Sequence, residues 1–253
     1  MKFCQTKKLI PLAGPILILA FWSAMSNIGL TDNFLLPGPV KTIAKLCSLL
    51  TTSAFWPDIL ATLMRVAVAF IISVLIGLPA GLLLGSSKKI YRSVEFLVDF
   101  FRSLPATALF PLFMLTFGVR DESKIAAATF ASVLIIIFNT AYGVLHASDA
   151  RVLSAKIMGA TKIQIFSKIL FWETLPNTLV GLRNAVSLSL VVIIVTEMFI
   201  GTTAGIGKKL IDFQLTYDLP AMYASIILIG LIGYCLNVLF LILEKKVVHW
   251  SGK

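Results

Sequence analysis

The sequence predicts an all-α, polytopic membrane protein with about six transmembrane helices. Two observations carry that expectation. Of 253 residues, 58% are hydrophobic and 13% charged, with a mean hydropathy of +0.95, a balance foreign to soluble domains. The apolar residues also gather into runs near the ~20 residues that span a bilayer. These runs are 9–30, 59–85, 96–118, 123–145, 179–200 and 219–243.

The first run follows Lys2, Lys7 and Lys8 and is longer than a signal-peptide core, so it reads as an uncleaved first membrane helix. The segment 31–58 comes next. Its Leu36-Pro37-Gly38-Pro39 makes an extended turn, and 40–50 reads as a short amphipathic surface helix with Ile43, Leu46, Cys47 and Leu50 on its apolar side. The second run holds Gly77, Gly81 and Gly85, a doubled Gly-x-x-x-Gly that lets another helix, of this chain or of a second copy, approach closely. Pro79 is a candidate kink. The third run contains Arg102-Ser103-Leu104-Pro105 and Pro111, and only Val119-Arg120-Asp121-Glu122 separates it from the fourth. After the fifth run, Gly201, Gly205 and Gly207 form a turn before a short surface helix near 208–213.

The net charge of +10 does not indicate nucleic acid, because Lys and Arg sit at the ends of apolar runs and not on one face. Their distribution sets an orientation. Lys88, Lys89, Arg92, Arg151, Lys156, Lys162, Lys168, Lys245, Lys246 and Lys253 fall on the side of the N-terminal lysines. Only Lys41, Lys45, Arg120, Lys124, Lys208 and Lys209 fall opposite. The positive-inside rule then puts both termini and the segment 146–177 in the cytoplasm.

That segment is the one long charged stretch between apolar runs. Residues 149–158 read as a helix capped by Ser148 or Asp149, and Gly159 breaks it. Thr161-Lys162-Ile163-Gln164 has capping-box spacing and opens a second helix to Glu173, with Ile163, Phe166, Ile169 and Leu170 on one face. Such a helix–Gly–helix at a membrane surface suits docking of a soluble partner.

Chemistry is sparse. Gly205-Ile206-Gly207-Lys208-Lys209 lacks the spacing and the Ser or Thr of a phosphate-binding loop. His146 and His249 stand far apart, and Cys4, Cys47 and Cys235 are scattered, so no metal or disulfide framework is expected. No catalytic residue is expected either. Ionisable groups within spans are costly and mark candidates for a pathway or gate: Arg102, Arg183 and Glu197. Asp99 and Arg102 are spaced to pair on one turn, or to snorkel to the interface. Glu197 admits a gate role or a structural hydrogen bond. Asn139 is placed to bond between helices.

Ser154-Ala155-Lys156, three residues before Gly159, with Leu175-Pro176 downstream, resembles the cytoplasmic "EAA" loop of ABC-importer permeases. Ser154 and Lys156 replace its Glu and second Ala, and Phe171-Trp172 replaces a first Leu-Pro. Other pieces follow in the same order as in permeases for nitrate, taurine and aliphatic sulfonates: Leu36-Pro37-Gly38-Pro39, Leu63 through Phe70, Arg102 through Gly118, Gly181-Leu182-Arg183 and Glu197-Met198. The resemblance implies one permease domain, 1–253, of type I importer fold, with a docking loop at about 146–178. Within it Arg151, Ser154, Ala155, Met158, Gly159 and Ala160 meet the ATPase. It further implies a permease homodimer in the inner membrane, two ABC ATPase subunits that carry ATP and Mg, and an external solute-binding protein. This chain itself then binds no cofactor and is no enzyme. Without the resemblance, an ATP-independent transporter or channel is the alternative.

Overall fold

The computed structural model describes residues 3–27, 35–199 and 202–248. Expectations for Lys2, the segment 28–34, Gly201, His249 and Lys253 lie outside these residues. So do those for the side chains of residues 3–12, Cys4, Lys7 and Lys8 among them, and of Asp149.

Every regular element among the described residues is helical: α1 (Phe3–Asn27), α2 (Pro39–Thr51), α3 (Trp56–Gly85), α4 (Lys88–Ser103), α5 (Phe110–Phe117), α6 (Asp121–Leu145), α7 (Asp149–Ile157), α8 (Lys162–Ile165), α9 (Phe171–Glu197), α10 (Ile206–Leu215) and α11 (Leu219–Val247). Among the described residues, four continuous stretches are long and apolar enough to cross a membrane: Ser53–Gly85, Asp121–Leu145, Lys162–Glu197 and Leu219–Val247.

The third predicted span is not one helix. Lys88–Ser103 and Ala106–Phe117 meet at a bend of 82°. Leu104 and Pro105 are both extended there, because a proline has no N–H to continue the helix and pushes the residue before it out of the α region. The charged first half of this pair therefore belongs to α4, which starts eight residues before the predicted run.

The fifth predicted span and the second loop helix are one rod. Helical backbone runs from Lys162 to Glu197 through a π turn at Phe166–Leu170, where the Phe171 N–H reaches back to the Phe166 carbonyl. Thr161 and Gln164 complete the capping box. Of the expected apolar face, Phe166, Ile169 and Leu170 are half-buried, whereas Ile163, in the first turn, is 79% exposed and Ile165 is buried.

The centre is a packed triplet of α3, α6 and α9. Gly77, Gly81 and Gly85 meet Ile136, Thr140 and Val144 in ascending order, so α3 and α6 run parallel. A Cβ on Gly81 would stand 2.7 Å from the Thr140 Cβ. Along α6 and α9 the order reverses: Ser132 bonds Ser189 at 2.7 Å, Gly181 lies under Asn139, and Gly143 meets Thr174. Small residues thus carry both interfaces. Asn139 does not bridge helices; its amide donates to Ile135 of its own helix at 2.9 Å. Pro79 sits inside an unbroken α3.

Around the triplet, α2 packs on α11 through Thr42 and Leu46 and is tied there by Lys45–Asp218 at 2.8 Å. Ile43 and Cys47, on the expected apolar side, are exposed. Trp22 of α1 donates to the Pro37 carbonyl at 3.1 Å and stacks on Tyr223.

Candidate functional site

The loop between α6 and α9 is built by local rules. Ser148 caps α7, accepting from the Arg151 N–H. Gly159 ends the turn after it at φ +80°. The Ala160 N–H bonds the Ala155 carbonyl and the Gly159 N–H bonds the Lys156 carbonyl, each at 3.0 Å, which is a Schellman motif. Leu153, Ile157, Met158 and Ile163 are left exposed beside Lys156 and Lys162, an apolar patch with a basic edge. Ser154, Ala155 and Ala160 lie on the same turn-and-helix unit.

Glu173, in the first turn of α9, holds this unit from behind. Its carboxylate accepts from the Ser148 N–H at 2.6 Å and pairs with Arg151 at 2.6 Å. The N-terminus of α7, where the helix dipole favours negative charge, is thereby fastened to the long rod.

At the opposite end of the triplet lies an ionic cluster built around the buried Arg65 and Glu197. Arg65 of α3 pairs with Glu197 of α9 at 2.6 Å and with Asp121 of α6 at 2.9 Å, and it donates to the Ala204 carbonyl at 2.7 Å. One guanidinium so joins all three central helices to the segment before α10. That segment buries the N-terminus of α10, whose orphan N–H groups need acceptors. The Gly205 N–H bonds Asp58, the Ile206 N–H bonds Thr62 and the Gly207 N–H bonds Glu197, at 2.8, 3.0 and 3.0 Å. A Cβ on Gly205, which has φ +147°, would fall 2.5 Å from the Glu197 carboxyl carbon, and one on Gly207 would meet the Ile194 carbonyl. The glycines are steric requirements of this burial. The helix expected at the surface has a buried start for the same reason. Glu197 is 1% exposed and does not reach water.

The other ionisable candidates lie apart. Arg102 pairs with Asp99 at 3.3 Å and lies 4.1 Å above the Phe138 ring. It lines a cavity of about 310 Å³ at the Leu104-Pro105 break, otherwise walled mostly by apolar residues of α6 and α9. Arg183 sits well inside the α9 rod and reaches Glu244 of α11 at 3.4 Å. No group of three or more His, Cys, Asp or Glu that could hold a metal occurs among the described residues.

Residues 73–249 match the family described as the binding-protein-dependent transport system inner membrane component. The chain belongs to this family. The permease is 30% identical to an ABC transporter permease protein of Brucella abortus (strain 2308), over 88% of this chain and 89% of that one. It is 24% identical to the taurine transport system permease protein TauC of Escherichia coli (strain K12), over 93% and 87%. With the nitrate import permease protein NrtB of Synechocystis sp. (strain PCC 6803 / Kazusa) the identity is 27%, over 100% and 94%. Its fold is similar to the MetNI methionine ABC transporter in an inward-facing form, with a TM-score of 0.65 at 21% identity over 78% of this chain and 99% of that chain. An amino acid ABC transporter gives a TM-score of 0.60 at 19% identity, over 83% and 95%. The chain is thus a permease component of an ABC importer, with the importer permease fold.

In this permease, sequence reasoning passed over Arg65, Asp58 and Asp121. Arg65 lies several residues inside its span, the same signal that drew attention to Glu197. Asp58 and Asp121 begin their helices and read as first-turn acids. Nothing in the linear pattern joins them to residues 205–207.

Proposed function

We propose that this permease imports a small polar solute of the kind named for its relatives, nitrate, taurine or a related sulfonate, and that it works as a homodimer. On this reading residues 1–253 form one permease domain in the inner membrane, with both termini and the 146–178 loop in the cytoplasm. Separate ATPase subunits supply ATP and Mg, and an external binding protein delivers the solute. The observation that carries the proposal is the α7–Gly159 unit. It is a short, doubly capped helix with an exposed apolar patch, fastened by Glu173 to a rod that reaches the far end of the molecule.

ATPase closure pushes α7, and the rod carries that displacement along α9. The π turn at Phe166–Leu170 is the compliant part of the covalent link, and the Glu173 contacts bypass it. Gate movement follows because both ends of α9 are tied: to α7 at one end, and to α3 and α6 through Glu197 and Arg65 at the other. Of the pathway candidates, Arg102 fits a solute-facing role, since it lines a cavity. Burial and bonding of Glu197 and Arg183 favour holding the gate helices over touching solute.

The test is co-purification of the tagged permease from its native membrane in mild detergent, with and without Gly159→Asp. An ATPase subunit that accompanies the wild type and is lost from the variant supports the docking assignment. Absence of any ATPase even after cross-linking at Ala155 rejects it.

A further inference from the structure

At the loop end of the molecule, the start of α4 faces the turn between α6 and α7 across an open pocket of about 500 Å³. Lys88, Tyr91, Arg92 and Glu95 form one wall, and Leu145, His146 and Ala147 the other. Lys88 and Arg92 are exposed, and neither forms an ion pair among the described residues. Among the lysine, arginine and carboxylate side chains of the lining, two cations face one carboxylate, an excess of one positive charge. A phosphodiester carries one negative charge and matches it. The Tyr91 hydroxyl, the His146 ring and the Glu95 carboxylate add the mixed donors and acceptors that polyol hydroxyls need.

The same helix continues away from the pocket as an apolar track. Arg92, Phe96 and Phe100 stand one helical turn apart in a single row, so the side chains adjoin. The Phe96 and Phe100 rings stack at 6.2 Å between centroids, and Phe96 is 76% exposed. Cations at one end of an amphipathic helix, followed by bare aromatic rings on the flank of the charged face, are what a lipid headgroup and its acyl chain each require.

We propose that this pocket is a site for an anionic glycerophospholipid, with its phosphodiester between Lys88 and Arg92 and an acyl chain along Phe96 and Phe100. Bound there, the lipid bridges α4 to the turn that leads into α7. The site stands on charge, shape and the apolar track, and is independent of the solute and of the docking assignment.

The experiment uses the permease purified in mild detergent with the subunits that accompany it, titrated with phosphatidylglycerol, phosphatidylcholine or inorganic phosphate. Phosphatidylglycerol raises the unfolding midpoint by about 3 °C or more, since a ligand that binds only the folded state stabilises it. The other two do not. The double variant Lys88→Gln/Arg92→Gln folds as the wild type but loses the shift, whereas Arg120→Gln, an exposed cation outside the pocket, keeps it. An equal shift with phosphatidylcholine, or an unchanged shift in the double variant, overturns the proposal. A shift with inorganic phosphate alone assigns the pocket to a soluble anion and overturns the lipid.

Discussion

Arg65 Nη1 lies 2.6 Å from Glu197 Oε1, although 132 residues separate the two in the chain. Both side chains are almost wholly buried, so their charges are compensated by one another, by Asp121 beside Arg65 and by the hydrogen bonds around them. Replacing Arg65 with Met strands the Glu197 carboxylate and should destabilise the fold by about 3–5 kcal/mol. Glu197→Gln should cost less, about 1–3 kcal/mol, as the amide retains an acceptor for the Gly207 N–H. The double variant should cost less than the sum of the two. Thermal unfolding of the detergent-solubilised protein measures all three; additive losses would show that the pair is not coupled.

Glycines on two helices should respond oppositely to the same change. Gly81→Ala puts a Cβ 2.7 Å from the Thr140 Cβ and should lose about 1–3 kcal/mol by forcing α3 from α6. Gly230, on α11, has no neighbour within 4 Å of its added Cβ. Gly230→Ala should gain up to ~1 kcal/mol through helix propensity. A matched pair of unfolding curves decides it.

Gly159→Asp should leave the membrane fold intact while removing the ATPase from the purified complex. A Cβ at Gly159 meets nothing within 4 Å, so the local cost is the left-handed backbone alone, about 1–2 kcal/mol. The comparison is ATPase recovery against unfolding midpoint. Loss of both together would mark Gly159 as structural only.

Glu173→Ala frees the Ser148 N–H and Arg151 at once. Amide exchange across α7 should accelerate by about tenfold or more, the equivalent of losing a charge-assisted hydrogen bond worth ~1.5–3 kcal/mol. Exchange in α9 beyond Pro176 should be unchanged. Hydrogen-exchange mass spectrometry separates the two regions, and unaltered protection of α7 would show that Glu173 does not restrain it.

Signals that act over a few residues were legible in the chain. The Thr161–Gln164 capping box, the Ser148 cap and the Gly159 terminator each use partners within one or two turns, and each forms as the spacing predicts. The Leu104-Pro105 break was equally local in cause. It was missed because a hydropathy run averages over a proline that the backbone cannot ignore.

The amino-acid sequence by itself determined the helical class, the four continuous stretches long and apolar enough to cross a membrane and the capped loop between α6 and α9. Bilayer thickness and hydrogen-bond satisfaction within a helix depend only on consecutive residues. Tertiary structure alone decided that Arg65 joins Glu197 and Asp121, that Asp58 and Thr62 receive the N–H groups of Gly205 and Ile206, and that Glu173 ties α7 to α9. Those pairings depend on which helix faces which and at what depth. Side-chain packing between distant segments settles that, and a linear pattern of charges does not encode it.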